Sequence, residues 1–145
     1  MRVDFYQLSE GTPESVVPLL ARATLQAGER LLVVAADAAL RNRIDAALWD
    51  QQPEAFLAHG HAGEEHAARQ PILLSETCAA DNGANFLLLA DGSWREAALG
   101  FERVMLVFGS ETLEATRAAW RALDGIEGAE RRFWKQDGGR WREGP

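Results

Sequence analysis

The densest group of side chains able to grip a charged partner lies near the C-terminal end. It runs Arg131, Arg132, Phe133, Trp134, Lys135, Gln136, Asp137, Gly138, Gly139, Arg140, Trp141, Arg142. Residues 131–145 carry five of the 15 Lys and Arg residues against two acids, a charge of +3. The net charge of −7 therefore leaves −10 on the other 130 residues. Three of the five tryptophans, Trp120, Trp134 and Trp141, fall within the last 26 residues. Cations interleaved with indole rings make a surface that holds an anion and an apolar anchor together. The plainer reading is that these rings pack back onto the acidic body, and both can hold at once.

A second group with metal-ligand chemistry is His59, His61 and His66, spaced H-x-H-x₄-H with Glu64 and Glu65 between them. Imidazoles and carboxylates can hold zinc, but this spacing matches no closed structural site, and no cysteine joins it. The expectation is a solvated polar loop and no bound metal. The lone cysteine, Cys78, has no partner for a disulfide and no motif around it, so it reads as a small apolar residue.

Other chemistry is missing. The turn after the first apolar run is Ser9-Glu10-Gly11-Thr12-Pro13, with neither G-x-G-x-x-G nor G-x-x-x-x-G-K-[ST]. Glu10 there would repel a phosphate. Ala90-Asp91-Gly92-Ser93-Trp94 has a single glycine, and no G-x-S-x-G elbow presents a nucleophilic serine. The expectation is a non-catalytic chain without a cofactor.

The elements that must position these groups alternate between strand and helix. Residues 3–8 read as a first strand. Thr12-Pro13 caps a helix to about Ala27, stopped by Gly28. Pro18 sits badly inside it, so a kink or a late start is expected. Residues 30–35 contain Leu31-Leu32-Val33-Val34, a continuous apolar run suited to a strand covered on both faces. Asp37 caps a second helix through Trp49, with Leu40, Ile44, Ala47 and Leu48 on one face. Residues 72–75, 86–90 and 103–108 are three more apolar runs. Ser110 caps a helix to about Leu123 that puts Leu113, Trp120 and Leu123 on one stripe. Residues 132–135 form a last strand-like piece, followed by a turn at Asp137-Gly138-Gly139. The longest irregular stretch, residues 58–71, holds all three histidines.

This alternation predicts one α/β domain over 1–145, with a mostly parallel central sheet and helices on both faces. Five or more strands and at least three helices are expected, with Leu32, Val34, Leu74, Leu88, Met105 and Val107 buried. Apolar content of 47% and charged content of 26% are those of an ordinary globular chain. The acidic balance argues against non-specific grip on duplex DNA, which needs many cationic contacts to phosphates. One cysteine, no apolar run of signal-peptide length and no membrane-spanning stretch fit a cytoplasmic protein.

Several short matches in order make the chain resemble the chi subunit family of bacterial DNA polymerase III. They are Phe5-Tyr6-x-Leu8, then Gly28-Glu29-Arg30-Leu31-Leu32-Val33, then Leu40-x-x-x-Ile44-Asp45-x-x-Leu48-Trp49. Phe56-Leu57-x-His59, Gly63-Glu64 and Pro71-Ile72-x-Leu74 follow, with Phe101-x-Arg103-Val104 and Arg117-x-x-Trp120-Arg121 near the end. The resemblance implies an α/β fold like nucleotide-binding domains, a non-enzymatic role in the clamp-loader assembly, and two binding surfaces. One takes the acidic C-terminal tail of single-stranded-DNA-binding protein. Its matching positions are Val107, Phe108, Arg117, Trp120 and Arg121. The other meets the small partner subunit psi, where the source has one, through Trp49 and Phe56, which flank Asp50-Gln51-Gln52-Pro53.

The pattern departs from the family at Glu111 and Glu114, acids near the start of the last helix where a basic residue often stands. Arg131, Arg132, Lys135, Arg140 and Arg142 are expected to supply the missing charge. Two rivals remain at this stage. One is a small α/β enzyme or metal-binding protein using His59, Glu64 and His66. The other is a direct binder of single-stranded nucleic acid that stacks bases on Trp134 and Trp141.

Overall fold

The computed structural model describes residues 1–9, 11–50, 56–137 and 140–144. Glu10, residues 51–53 of the Trp49–Phe56 connection and the glycines of the Asp137-Gly138-Gly139 turn lie outside the described residues.

Eight strands form one sheet: β1 (Arg2–Gln7), β2 (Leu31–Val34), β3 (His59–His61), β4 (Ile72–Ser75), β5 (Phe86–Leu89), β6 (Arg103–Phe108), β7 (Glu130–Asp137) and β8 (Arg140–Glu143). Their spatial order is β3-β4-β2-β5-β6-β1-β7-β8. Every pairing is parallel except the β7–β8 hairpin. Three α-helices join them: α1 (Pro13–Gln26), α2 (Ala38–Asp50) and α3 (Leu113–Leu123).

The continuous apolar runs explain the central strands. Side chains alternate across a strand, so a sheet covered on both faces needs apolar residues at every position. Leu31, Val33, Ile72, Leu74, Leu88, Met105 and Val107 point to one face, under α1 and α2. Leu32, Val34, Leu73, Leu87, Leu89, Val104 and Leu106 point to the other, where Ala119 and Leu123 of α3 pack. The expected α/β fold with helices on both faces is therefore present, and all six residues expected in the core are buried.

Three expectations need adjustment. Helix α1 begins at Pro13 and continues past Pro18, so the late start does not occur. Its end is as read: Gly28 takes φ +79°, a left-handed conformation that costs a Cβ-bearing residue energy, and Glu29 N–H donates to the Thr24 carbonyl. Residues 58–71 are not wholly irregular, because His59–His61 pairs with β4 as the sheet's edge strand. The last strand-like piece is eight residues long and is followed by a second strand, β8.

Strand β1 lies between β6 and β7 and carries a fully buried carboxylate, Asp4. A buried charge persists only with partners. Asp4 has three: Arg2 at 3.0 Å, Arg103 at 2.9 Å and the Trp134 indole N–H at 2.9 Å. This knot fastens β6, β1 and β7 side by side.

Candidate peptide-binding site

Three of the sequence-predicted tail residues, Phe108, Arg117 and Trp120, meet on the side of the sheet that carries α3. Register across β6, β1 and β7 aligns Phe108, Gln7 and Lys135 in one row, with Phe5 and Phe133 paired two residues back. Because strand side chains alternate, these five residues share a face. Helix α3 lies over them, and its Leu113, Thr116, Arg117 and Trp120 occupy i, i+3, i+4 and i+7, one helical stripe. Between helix and strands is a cavity of about 340 Å3 with a mainly apolar lining.

Trp120 forms one wall. Its ring meets Phe5 edge-on at 5.1 Å, and the Arg131 guanidinium lies over it at 4.6 Å. Arg131 also donates to the Trp120 carbonyl at 2.7 Å and to Asp124 at 2.8 Å. The side chain expected as an auxiliary anion contact therefore braces the wall of the pocket. Phe108 and Phe133, tilted at 6.2 Å, form the floor.

Helix α3 itself is started by a single 3-10 turn, Ser110–Thr112. Glu111 and Glu114 lie in its first turns and Arg121 in its last. Acids stabilise the positive end of a helix dipole, which gives a local reason for the two glutamates. Glu114 pairs with Arg117 at 3.1 Å, on the exposed surface.

The structure separates some residues that the sequence groups together. Val107 precedes Phe108 in β6, so its side chain points to the opposite face and is fully buried under α1 and α2. Arg121 is exposed on α3 but does not line the cavity. Of the basic C-terminal residues, Arg132 pairs with Glu130 at 2.9 Å and Arg142 with Asp137 at 3.0 Å. Among the described residues no ion pair involves Lys135, Arg140 or Arg121. Lys135 is the cation of that group that lines the cavity.

Trp134 and Trp141 lie against the body of the domain. Both pack on Tyr6, Trp134 stacked at 6.2 Å and Trp141 edge-on at 5.2 Å, and both stay half-buried. Both rings therefore pack back onto the body. Burial raises the Tyr6 hydroxyl above its ordinary value of 10.0, helped by Asp4 and opposed by Arg103.

Trp49 and Phe56 come together at a different place. Their rings meet at 6.2 Å and stand 50% and 72% exposed. Beneath them His59, whose side chain is 1% exposed, contacts the Trp49 ring at 4.8 Å. One oxygen of Asp45, a turn before Trp49 on α2, faces His59 at 2.7 Å and His61 at 3.3 Å. His59 is thus a buried support. Glu64 accepts the His61 backbone N–H at 2.6 Å within the turn, and His66 begins a short 3-10 helix. Among the described residues no three His, Cys, Asp or Glu side chains are grouped as a metal site.

At the C-terminal edge of the sheet, where α/β enzymes hold nucleotides, lies a crevice of about 530 Å3. Asp37, Asp91 and Glu111 line it, and its cation, Arg43, is paired with Glu14 at 3.1 Å. Burial pushes the Asp91 carboxyl up, but the hydrogen bond from Arg95 and the Ala36 N–H outweigh it, and the carboxyl stays below its ordinary value. Such an acidic lining opposes phosphate. Burial raises the Cys78 thiol, the direction of low reactivity.

Sequence reasoning missed Phe5, Gln7, Leu113, Thr116 and Phe133 as lining residues. The helix members were accessible from the stripe that carries Trp120. The strand members depend on which strands pair. No helix among the described residues is long and apolar enough to cross a membrane.

No curated protein matches the chain. A family model described as DNA polymerase III chi subunit, HolC, matches residues 1–128, which include every element from β1 to α3. With the sheet, the helix α3 stripe and this match together, the chain belongs to the DNA polymerase III chi subunit family, an accessory subunit family of the replicative polymerase.

Proposed function

We propose that the chain is a non-catalytic, cytoplasmic adaptor of the polymerase III holoenzyme. It links the clamp loader to single-stranded-DNA-binding protein by taking that protein's acidic C-terminal tail between α3 and β7. The observation that carries this reading is the 340 Å3 apolar cavity walled by Trp120, with Arg117 and Lys135 in its lining. A tail of acids ending in an aromatic residue needs that combination: one slot for the ring and cations for the charges. Burying an aromatic ring contributes roughly 1.5–3 kcal/mol, and charge pairing adds steering and salt sensitivity. A contact of this size reaches a Kd on the order of micromolar. The exposed Trp49–Phe56 pair supports a second surface for psi or another clamp-loader subunit, since clustered aromatics commonly anchor interfaces. Contact with nucleic acid is mainly indirect on this reading.

Calorimetric titration tests it with three probes: an acidic peptide ending in phenylalanine, the same peptide without its last residue, and a short single-stranded oligonucleotide. The expected result is micromolar binding of the intact peptide alone. Equal binding of the shortened peptide would remove the cavity from the mechanism, and binding of the oligonucleotide alone would replace the adaptor by a direct nucleic-acid binder.

A further inference from the structure

His59 carries a hydrogen-bonding demand that a neutral ring does not meet. Its side chain is 1% exposed, so the ring is cut off from solvent. Nδ1 faces the Leu57 carbonyl at 2.8 Å, and Nε2 faces a carboxylate oxygen of Asp45 at 2.7 Å. Both partners are acceptors. Neutral imidazole has one N–H and one bare lone pair, whichever tautomer it takes, so one of these contacts would set lone pair against lone pair. The imidazolium satisfies both, with the Asp45 carboxylate as its counter-charge.

The surroundings of the ring tie three elements together. Strand β4 sets apolar Ile72 beside His59 in register, and α2 brings both Asp45 and the Trp49 ring against it. The other titratable group on that carboxylate oxygen is His61 of β3, 3.3 Å away, and Glu64 in turn accepts the His61 backbone N–H. Just before His59, Phe56 takes φ +43°, a left-handed conformation that costs a residue with a Cβ energy and persists only where contacts hold it. The bond from His59 Nδ1–H to the Leu57 carbonyl is one such contact.

We propose that protonated His59 is a clasp: it fastens the segment from Phe56 to His59 onto α2, sets Trp49 and Phe56 side by side, and releases them when it loses its second proton. His59 acts here as a positioning residue. This deepens the reading of the aromatic pair as a partner surface, and its test needs no partner, so either can fail without the other. The clasped form binds one proton more than the released form. By linkage its population is full on the acid side of the ring's titration, as long as Asp45 stays ionised, and falls as the pH rises through it. A partner that needs the two rings together is therefore held less well in alkaline solution.

Nuclear magnetic resonance of the histidine ring nitrogens in the full chain tests this. At about pH 6–7 both nitrogens of His59 are expected to carry protons, the resonances being assigned with His59→Gln. The Trp49 indole N–H resonance, assigned with Trp49→Phe, should shift over the same pH interval in which His59 loses its second proton, while that of Trp120 stays in place. His59→Gln should abolish the Trp49 response, and Asp45→Asn should move it to lower pH because the counter-charge is gone. His61→Asn should leave the response in place. Circular dichroism checks that each variant is folded, and the ring-nitrogen reading on the unaltered chain stands even where one is not. A single protonated nitrogen on His59 at every pH overturns the clasp. A Trp49 response that survives His59→Gln, or one that vanishes with His61→Asn, also overturns it and passes the titration to His61.

Discussion

Trp120 and Trp49 both sit near the end of a helix beside a second aromatic, yet they face their surroundings in opposite ways. Trp120 is half-buried, braced by Phe5 and by Arg131, and forms the wall of a concavity. Trp49 is half in solvent, meets the still more exposed Phe56, and rests on a buried histidine. On the proposed function the first acts as a host for a peptide side chain, and the second as a projection offered to a partner. What differs is the strand behind each ring. The β1–β7 pairing puts Phe133 in the floor of the cavity that Trp120 walls, and no cavity lining is shared by Trp49 among the described residues.

The strongest way to break this contrast is to exchange the losses. Trp120→Ala should weaken the acidic peptide by roughly 2–4 kcal/mol, the cost of removing a central aromatic anchor, and should also reduce stability because Phe5 loses its neighbour. Trp49→Ala should leave peptide affinity unchanged and alter stability by no more than about 0.5 kcal/mol, as expected for a side chain half in solvent. Calorimetry and chemical denaturation of both variants settle it. Equal effects on the peptide would mean that the two rings do not serve separate surfaces.

A smaller effect sharpens the host side. Replacing Arg117 and Arg121 together by alanine should cost roughly 1 kcal/mol of peptide affinity at low salt and much less near 0.5 M salt, because both are exposed and act through screened charge. A loss that persists undiminished at high salt would show that one of them makes a desolvated contact.

The smallest effect supplies a position neutral to both surfaces. Asp91 lines the acidic crevice away from either ring, and its carboxyl is held below the ordinary 3.8. Stability from such a group is fully present above its unfolded value and drains away as the pH falls through the folded one. Asp91→Asn should therefore flatten the acid limb of a stability profile below about pH 4 while leaving peptide binding at neutral pH unchanged. An unchanged acid limb would show that the Arg95 and Ala36 contacts contribute nothing to folding.

The fold was legible because its central strands carry apolar residues at every position, a pattern that only a sheet covered on both faces requires. The edges were less so. His59-Gly60-His61 has no strand propensity and becomes β3 only through β4. Pro18 remains inside α1, although it gives up the bond its nitrogen would have made. At the site, the α3 stripe was readable from helical spacing alone. Val107 was misplaced because adjacency in sequence is opposition across a strand. Phe5, Gln7 and Phe133 were beyond reach because their meeting depends on β1 lying between β6 and β7, and no local pattern encodes that neighbourhood.

That placement has a kinetic consequence. Strand β1 is synthesised first, yet its two neighbours, β6 and β7, are among the last elements made. Until they emerge, Asp4 has neither Arg103 nor Trp134, and Phe5 lacks both α3 and Phe133. Loop closure over such separations must be met before the contacts reward it, which slows folding and leaves apolar edges open meanwhile. During synthesis the nascent chain thus holds β1, with Val3 and Phe5 uncovered and Asp4 short of two partners, until β6 is complete about a hundred residues later. The pairing of β7 with β1 and the closing of the cavity under α3 are then the same late event, so a chain that lacks β7 lacks the Phe133 and Lys135 part of its lining.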